Sequence, residues 1–150
     1  MNETMNMQCV DIQTLLPQRP PMVMVDRLVF ADEKSAETVL DIRRDNIFVE
    51  DGALKAYAMI ENMAQTCAAQ LGYLDRYLHD NHDVRIGYVG AVKRMQILSV
   101  PRVGETLRTR IMVQEDFVDM KLVSAESYVG EQLIATAELT IALSGERIEA

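Results

Sequence analysis

Nineteen consecutive residues, Ala56–Leu74 (AYAMIENMAQTCAAQLGYL), carry a single formal charge, Glu61. The segments around them alternate polar and apolar residues or are rich in valine, and read as strands. One long apolar segment among strands is a buried helix. A carboxylate on such a helix needs a hydrogen bond, a proton or a chemical use, because a buried unpaired charge costs several kcal/mol. The segment has the length of a membrane span but not its character. It holds Glu61, Asn62, Gln65, Thr66 and Gln70, and its alanines are only weakly apolar. The first residues, MNETMNMQCVDIQ, lack a basic region leading into an apolar core, so no signal peptide is expected and cytoplasm is the default location.

Taken in order, the chain begins with a short helix at Asp11–Leu16, capped by Asp11, and a proline-rich turn at Pro17, Pro20 and Pro21. Met22–Phe30 reads as a strand and Ala31–Lys34 as a polar turn. Ser35–Arg43 alternates, with Ala36, Thr38, Leu40 and Ile42 on one side. Arg44–Gly52 is a loop, and Asp51–Gly52 is expected to begin the helix, which runs to about Tyr77. His79–Asp83 is a polar turn. Val84–Ser99 is a long strand, with Gly87 and Gly90 placed for a bulge or a close approach. Glu105–Phe117, Met120–Val129 and Gln132–Leu143 are strands, and Ser144–Ala150 is a tail. Helix residues Tyr57, Ile60, Ala64, Ala68 and Leu71 fall at three- and four-residue steps and are expected to form the buried stripe. The small residues Ala58, Ala64, Ala68, Ala69 and Gly72 allow backbone to approach on a second side. The expected class is therefore α+β: one domain over residues 1–150, with a curved antiparallel sheet wrapped around a central helix that also meets a second subunit.

The 150 residues carry 23 acidic and 15 basic side chains, a net charge of −8. That argues against nucleic acid as a partner. The charge is uneven: Arg85–Arg110 holds six basic residues and one acidic, Glu105. Arginines at alternate strand positions are either a solvated face or a patch for an acidic partner. Two cysteines, Cys9 and Cys67, offer no disulfide framework, and Cys67 among alanines reads as a small core residue.

Three stretches resemble one family. LLPQRPPMVMVDRLV (Leu15–Val29) is similar to the N-terminal signature of bacterial 3-hydroxyacyl-[acyl-carrier-protein] dehydratases, and IENMAQTCA (Ile60–Ala68) to their central-helix signature. IGYVGAVKRMQILSVPRVGETL (Ile86–Leu107) resembles the strand–turn–strand that follows. The helix approach, DGALKAYAMIENMAQT, looks closest to the branch found in aryl-polyene-type pigment pathways. The resemblance implies a hotdog fold, a homodimer whose sheets join, and acyl chains bound at the subunit interface. It implies acyl carrier protein with acyl-phosphopantetheine as the partner, and no metal or other cofactor. The family's catalytic helix glutamate falls on Glu61, and the glutamine four residues later on Gln65, which shares its helix face. Asn46, Phe48, Tyr57 and Gly90 are the expected substrate contacts. Lys93, Arg94 and Arg102 are the expected carrier-docking residues.

The chain departs from the common dehydratases in one respect. Their catalytic histidine stands in a Gly-His-Phe-Pro loop about fourteen residues before the glutamate. Here that loop reads Asn46-Ile47-Phe48-Val49, and the histidine of their Leu-Pro-His-Arg signature is Gln18. His79 and His82 read as turn residues. Dehydrating a 3-hydroxyacyl thioester needs a base at C2, an acid at the C3 hydroxyl, and donors for the thioester oxygen. A single carboxyl group can in principle carry the proton between the first two, and a helix N-terminus supplies the third. Glu61 is then the centre of a dehydratase site. The alternatives are a thioesterase that uses the carboxylate to activate water, or a non-catalytic acyl-binding subunit.

Overall fold

In a computed structural model of the protein, residues 7–78 and 84–148 are described. A short 3-10 turn, Ile12–Thr14, is capped by Asp11, whose carboxylate accepts from the Gln13 amide at 3.0 Å. Strands β1 (Arg27–Ala31) and β2 (Ser35–Asp41) precede a two-strand hairpin, β3 (Val49–Glu50) and β4 (Ala53–Leu54). Helix α1 (Ala56–Tyr73) follows and closes in one wide π-helical turn, Leu74–Leu78. Strands β5 (Val84–Ile97), β6 (Thr106–Asp116), β7 (Met120–Val129) and β8 (Gln132–Ile148) complete the order.

Six strands form one antiparallel sheet in the order β1-β2-β6-β7-β8-β5. At about 4.8 Å between strands, such a sheet is roughly 24 Å wide, against about 10 Å for a helix. Yet α1 touches both edge strands, β1 and β5, as well as β2 and β6. Only a sheet curled around the helix can make those contacts, so the architecture is the hotdog arrangement. The core lies between them, with Met59 and Met63 of α1 packed among Leu28, Leu40, Leu107 and Ile111. Among the described residues, no helix is long and apolar enough to cross a membrane.

Four expectations are corrected. The strand expected over Met22–Phe30 is confined to its end. Residues 22–24 give their backbone groups to helix side chains instead of a neighbouring strand: Gln65 takes the Met22 carbonyl and the Met24 amide, and Asn62 takes the Met24 carbonyl. Asp51–Gly52 does not begin the helix. Both residues have left-handed backbone, φ 55° and 79°, and form the tight turn between β3 and β4, the hairpin geometry that Asp-Gly favours. The helix starts after Lys55. Residues 144–148 are no tail, since β8 continues and pairs with the start of β5.

The fourth correction concerns the helix stripe. The buried side of α1 carries Ala58, Met59, Asn62, Met63, Thr66 and Ala69. Of the expected stripe, Leu71 is buried as expected, whereas Ile60, Ala64 and Ala68 lie on the half-buried side and Tyr57 is 56% exposed. Buried amides and hydroxyls on the core face explain the misreading. Asn62 and Thr66 look polar in sequence, but Thr109 donates to Asn62 Oδ1 and Thr66 pairs with Thr38 at 2.8 Å. These bonds satisfy the groups inside the core, where unpaired they would be costly.

Candidate active site

Glu61 stands in the second turn of α1 and its position is set by Gln65. The Gln65 side chain is fully buried and every polar atom is used. Its Nε2 donates to the Met22 carbonyl at 2.9 Å and to Glu61 Oε2 at 2.8 Å. Its Oε1 accepts from the Met24 amide at 2.6 Å. Two of these three bonds anchor the amide to backbone. The third therefore holds the carboxylate at a fixed point without supplying a counter-charge. Glu61 also lines the neighbouring space.

That space is a cavity of about 210 Å³ between α1 and strands β5, β7 and β8. Its walls include Glu61, Ala64, Ala68, Leu71, Val123 and Ile141. Gln18 also lines it, and the Gln18 Oε1 atom is buried with no hydrogen-bond partner, a vacancy that costs about 1–3 kcal/mol if nothing fills it. Cys67, Tyr88 and Lys121 are further ionisable residues that border the cavity. Cys67 is buried, and burial pushes its thiol up to about 12, so it is a poor nucleophile. Lys121 is 6% exposed. Burial lowers its pKa from the ordinary lysine value, against a smaller opposing pull from Asp116.

The remaining expected site residues are placed as follows. Asn46 is half-buried outside this cavity; its Oδ1 accepts from the Phe48 amide at 2.8 Å, and its Nδ2 faces the Met24 sulfur at 3.6 Å. Phe48 and Tyr57 meet edge to face, ring centres 5.6 Å apart, so they form one aromatic pair at the start of α1. Gly90 is exposed at a β5 bulge, one residue beyond the cavity-lining stretch Gly87–Val89. His79 and His82 lie outside the described residues.

Lys93, Arg94 and Arg102 are all exposed. Arg94 sits at a second bulge with φ 52° and makes a two-oxygen contact to Glu138 at 2.8 Å. Arg102 bridges the β4 hairpin, and its amide donates to Glu105. Other arginines of the basic segment are neutralised from outside it: Arg85 by the buried Asp75 at 2.9 Å, and Arg108 by Glu37 at 3.5 Å. The concentration of charge in the sequence is therefore diluted by cross-strand acids.

Lys121 was missed at the sequence level. The signal was present: Lys121, Val123, Ala125 and Ser127 share the inward register of β7, and all four are buried.

Comparison with known proteins identifies the frame in which this site sits. The family model of the ApeP-like proteins, described as ApeP dehydratase, matches residues 10–147. The 3-hydroxyacyl-[acyl-carrier-protein] dehydratase FabZ of Legionella pneumophila is 28% identical over 147 residues, covering 93% of this chain and 94% of that protein. FabZ of Latilactobacillus sakei is 28% identical over 136 residues, covering 87% and 94%. Among solved structures, the dehydratase heterocomplex ApeI:P from Xenorhabdus doucetiae superposes with a TM-score of 0.85 at 18% identity, over 91% of this chain and 93% of that one. A hypothetical thioesterase from Streptococcus pneumoniae, solved with coenzyme A, gives 0.63 at 9% identity, over 81% and 87%. The structural likenesses establish the hotdog fold, and the family match establishes the lineage: the chain belongs to the ApeP-like family of dehydratases.

Proposed function

We propose that the protein dehydrates 3-hydroxyacyl thioesters, presented on acyl carrier protein, to 2-enoyl thioesters, with Glu61 as its acid–base group. One observation carries this reading: a carboxylate fixed by a fully buried amide faces a largely apolar cavity. Glu61 takes the C2 proton. Negative charge builds on the thioester oxygen, where N–H groups at the start of α1 and the β5 backbone near Gly90 are the available donors. The same proton is then delivered to the C3 hydroxyl, which leaves as water, and Glu61 ends ionised as it began. The unpaired Gln18 carbonyl, on the same cavity as Glu61, can accept a hydrogen bond from the substrate hydroxyl. Phe48, Tyr57 and Asn46 flank the approach from the β3 side, and Lys93, Arg94 and Arg102 receive the acidic carrier.

The reading includes a homodimer in the cytoplasm. The half-exposed helix face at Tyr57, Ile60, Ala64 and Ala68, and the exposed Tyr88 and Val89 on edge strand β5, are apolar surface of the kind a second subunit covers. A second reading is favoured by the loop Asn46–Val49, which lacks the family's histidine: a related chain pairs with this one and brings the missing acid. The ApeI:P complex is a precedent for such pairing in that protein.

The test is turnover of 3-hydroxyacyl-carrier substrates of several chain lengths by the wild type and Glu61→Gln. Enoyl product from the wild type and its loss by at least about a hundredfold in the variant are expected. Release of free carrier thiol identifies a thioesterase. No turnover by either protein, with acyl chain still bound, identifies a binding subunit, and recovery on adding the related chain identifies the mixed complex.

A further inference from the structure

Lys121 has no use in the chemistry at Glu61, and its surroundings do not account for it. It is 6% exposed, and among the described residues no carboxylate lies within ion-pair distance of its ammonium group. The charged groups that act on it stand off: Asp116 on β6, Arg85 on β5 and Asp75 in the turn after α1, the last two engaged with each other at 2.9 Å. A lysine buried this far along its length, with no protein partner for its charge, is costly, whereas methionine or leucine at this inward position would pack without that cost. Burial also lowers the lysine's pKa, the mark of an unmet charge.

The group does have somewhere to point. Lys121 lines the same cavity as Glu61. Its electrostatic neighbours Cys67 and Asp75 lie beyond Glu61 along the helix, and Cys67 is six residues on, about 9 Å of axial rise. Glu61 and Lys121 thus mark two separated places in one cavity, with apolar wall from Ala64, Ala68, Leu71, Val123 and Ile141 around them.

We propose that Lys121 reads the distal end of the bound chain, selecting acyl groups whose far end carries a hydrogen-bond-accepting oxygen, a carboxylate or a hydroxyl, over those ending in methyl. The inference deepens the proposed function, and rests on the cavity being the acyl site. Ligand oxygen supplies the partner that the fold withholds. A methyl end seated against the ammonium would strip its remaining solvent and give it no partner, so discrimination comes mainly from what happens when the wrong chain binds.

The experiment uses pantetheine thioesters of saturated acyl chains, matched in length, ending in methyl, hydroxyl or carboxylate. Their binding is measured by calorimetry to the wild type and to Lys121→Met. The wild type is expected to bind one or both oxygen-ended chains about 10- to 100-fold more tightly than the methyl-ended chain, the range of a charged hydrogen bond. Lys121→Met is expected to remove or reverse that preference while raising the unfolding midpoint of the unliganded protein, a combination that a structural lysine would not produce. Which oxygen-ended chain is preferred distinguishes carboxylate from hydroxyl. Wild-type binding of the methyl-ended chain as tightly as the others overturns the proposal without recourse to any variant, and so does an unchanged preference in Lys121→Met. Because binding is read apart from turnover, loss of the dehydratase reading through Glu61→Gln leaves this result interpretable by itself.

Discussion

At the scale of single residues, the site depends on one amide. Gln65 completes three hydrogen bonds in a fully buried position, two to the backbone of Met22 and Met24 and one to Glu61. Gln65→Leu keeps the volume and strips all three. Each buried group left unpaired costs about 1–3 kcal/mol, so denaturant unfolding should show a loss of roughly 2–5 kcal/mol. Turnover should fall at least about tenfold, chiefly in kcat, because Glu61 loses its position rather than its charge. Cys67 gives a second residue-scale prediction. Its thiol ionises near 9.0 when free and at about 12 when folded. Between those values the unfolded state holds fewer protons than the folded state, so stability is full below pH 9 and falls as pH rises. From about pH 8 to pH 10, the wild type should lose about 1.4 kcal/mol more than Cys67→Ala, measured by urea unfolding. At neutral pH a thiol reagent should modify the exposed Cys9 and leave Cys67 intact.

At the scale of elements, α1 is set by a close approach at its far end. A Cβ added at Gly72 would stand 2.4 Å from the Leu15 carbonyl oxygen and 2.9 Å from Leu15 Cα, both backbone atoms. Glycine to alanine inside a helix ordinarily gains up to about 1 kcal/mol. Here the clash is with main chain that cannot swing aside, and the sign reverses. Gly72→Ala should lower stability by about 2–3 kcal/mol, seen as a lower thermal midpoint. The N-terminal segment should also become more open to proteolysis around Leu15 and Leu16, which are fully buried in the wild type. The same helix shows how its two sides divide the work. One side fills the sheet with Met59 and Met63, while the other presents Glu61 to the cavity and small residues to whatever covers it.

At the scale of the whole molecule, charge is the property that the fold redistributes. The basic run Arg85–Arg110 meets acids from β2, β8 and the turn after α1, and Arg85, Arg94 and Arg108 are paired. Exposed pairs such as Arg94–Glu138 are worth at most about 1 kcal/mol, so an acidic partner can compete for the arginine. The double charge reversal Arg94→Glu, Arg102→Glu should weaken carrier binding about tenfold or more at low salt and flatten its dependence on salt concentration. Binding that is unchanged at every salt concentration would reduce the segment to a solvated strand face.

Period-two alternation was enough to find β2, β6 and most of β8, since each has a wet face and a dry one. The apolar run Ala56–Leu74 was enough to find the helix, and the signature around Glu61 and Gln65 to find the family. These are local properties, written in neighbouring residues. What the tertiary structure decided depends on groups far apart in the chain. Met22–Met24 has the composition of a strand, yet side chains some forty residues away take its hydrogen bonds and hold it off the sheet. Asp51–Gly52 reads equally as a helix start or a hairpin turn, and pairing between β3 and β4 selects the turn. The helix face was misassigned because Asn62 and Thr66 look polar until Thr109 and Thr38 satisfy them. Lys121 looks like an ordinary surface lysine until the sheet curls around α1 and encloses it. Sequence patterns report which groups prefer water. Only the folded chain determines which polar groups find partners without it, and that decided how Glu61 is held and what stands across the cavity from it.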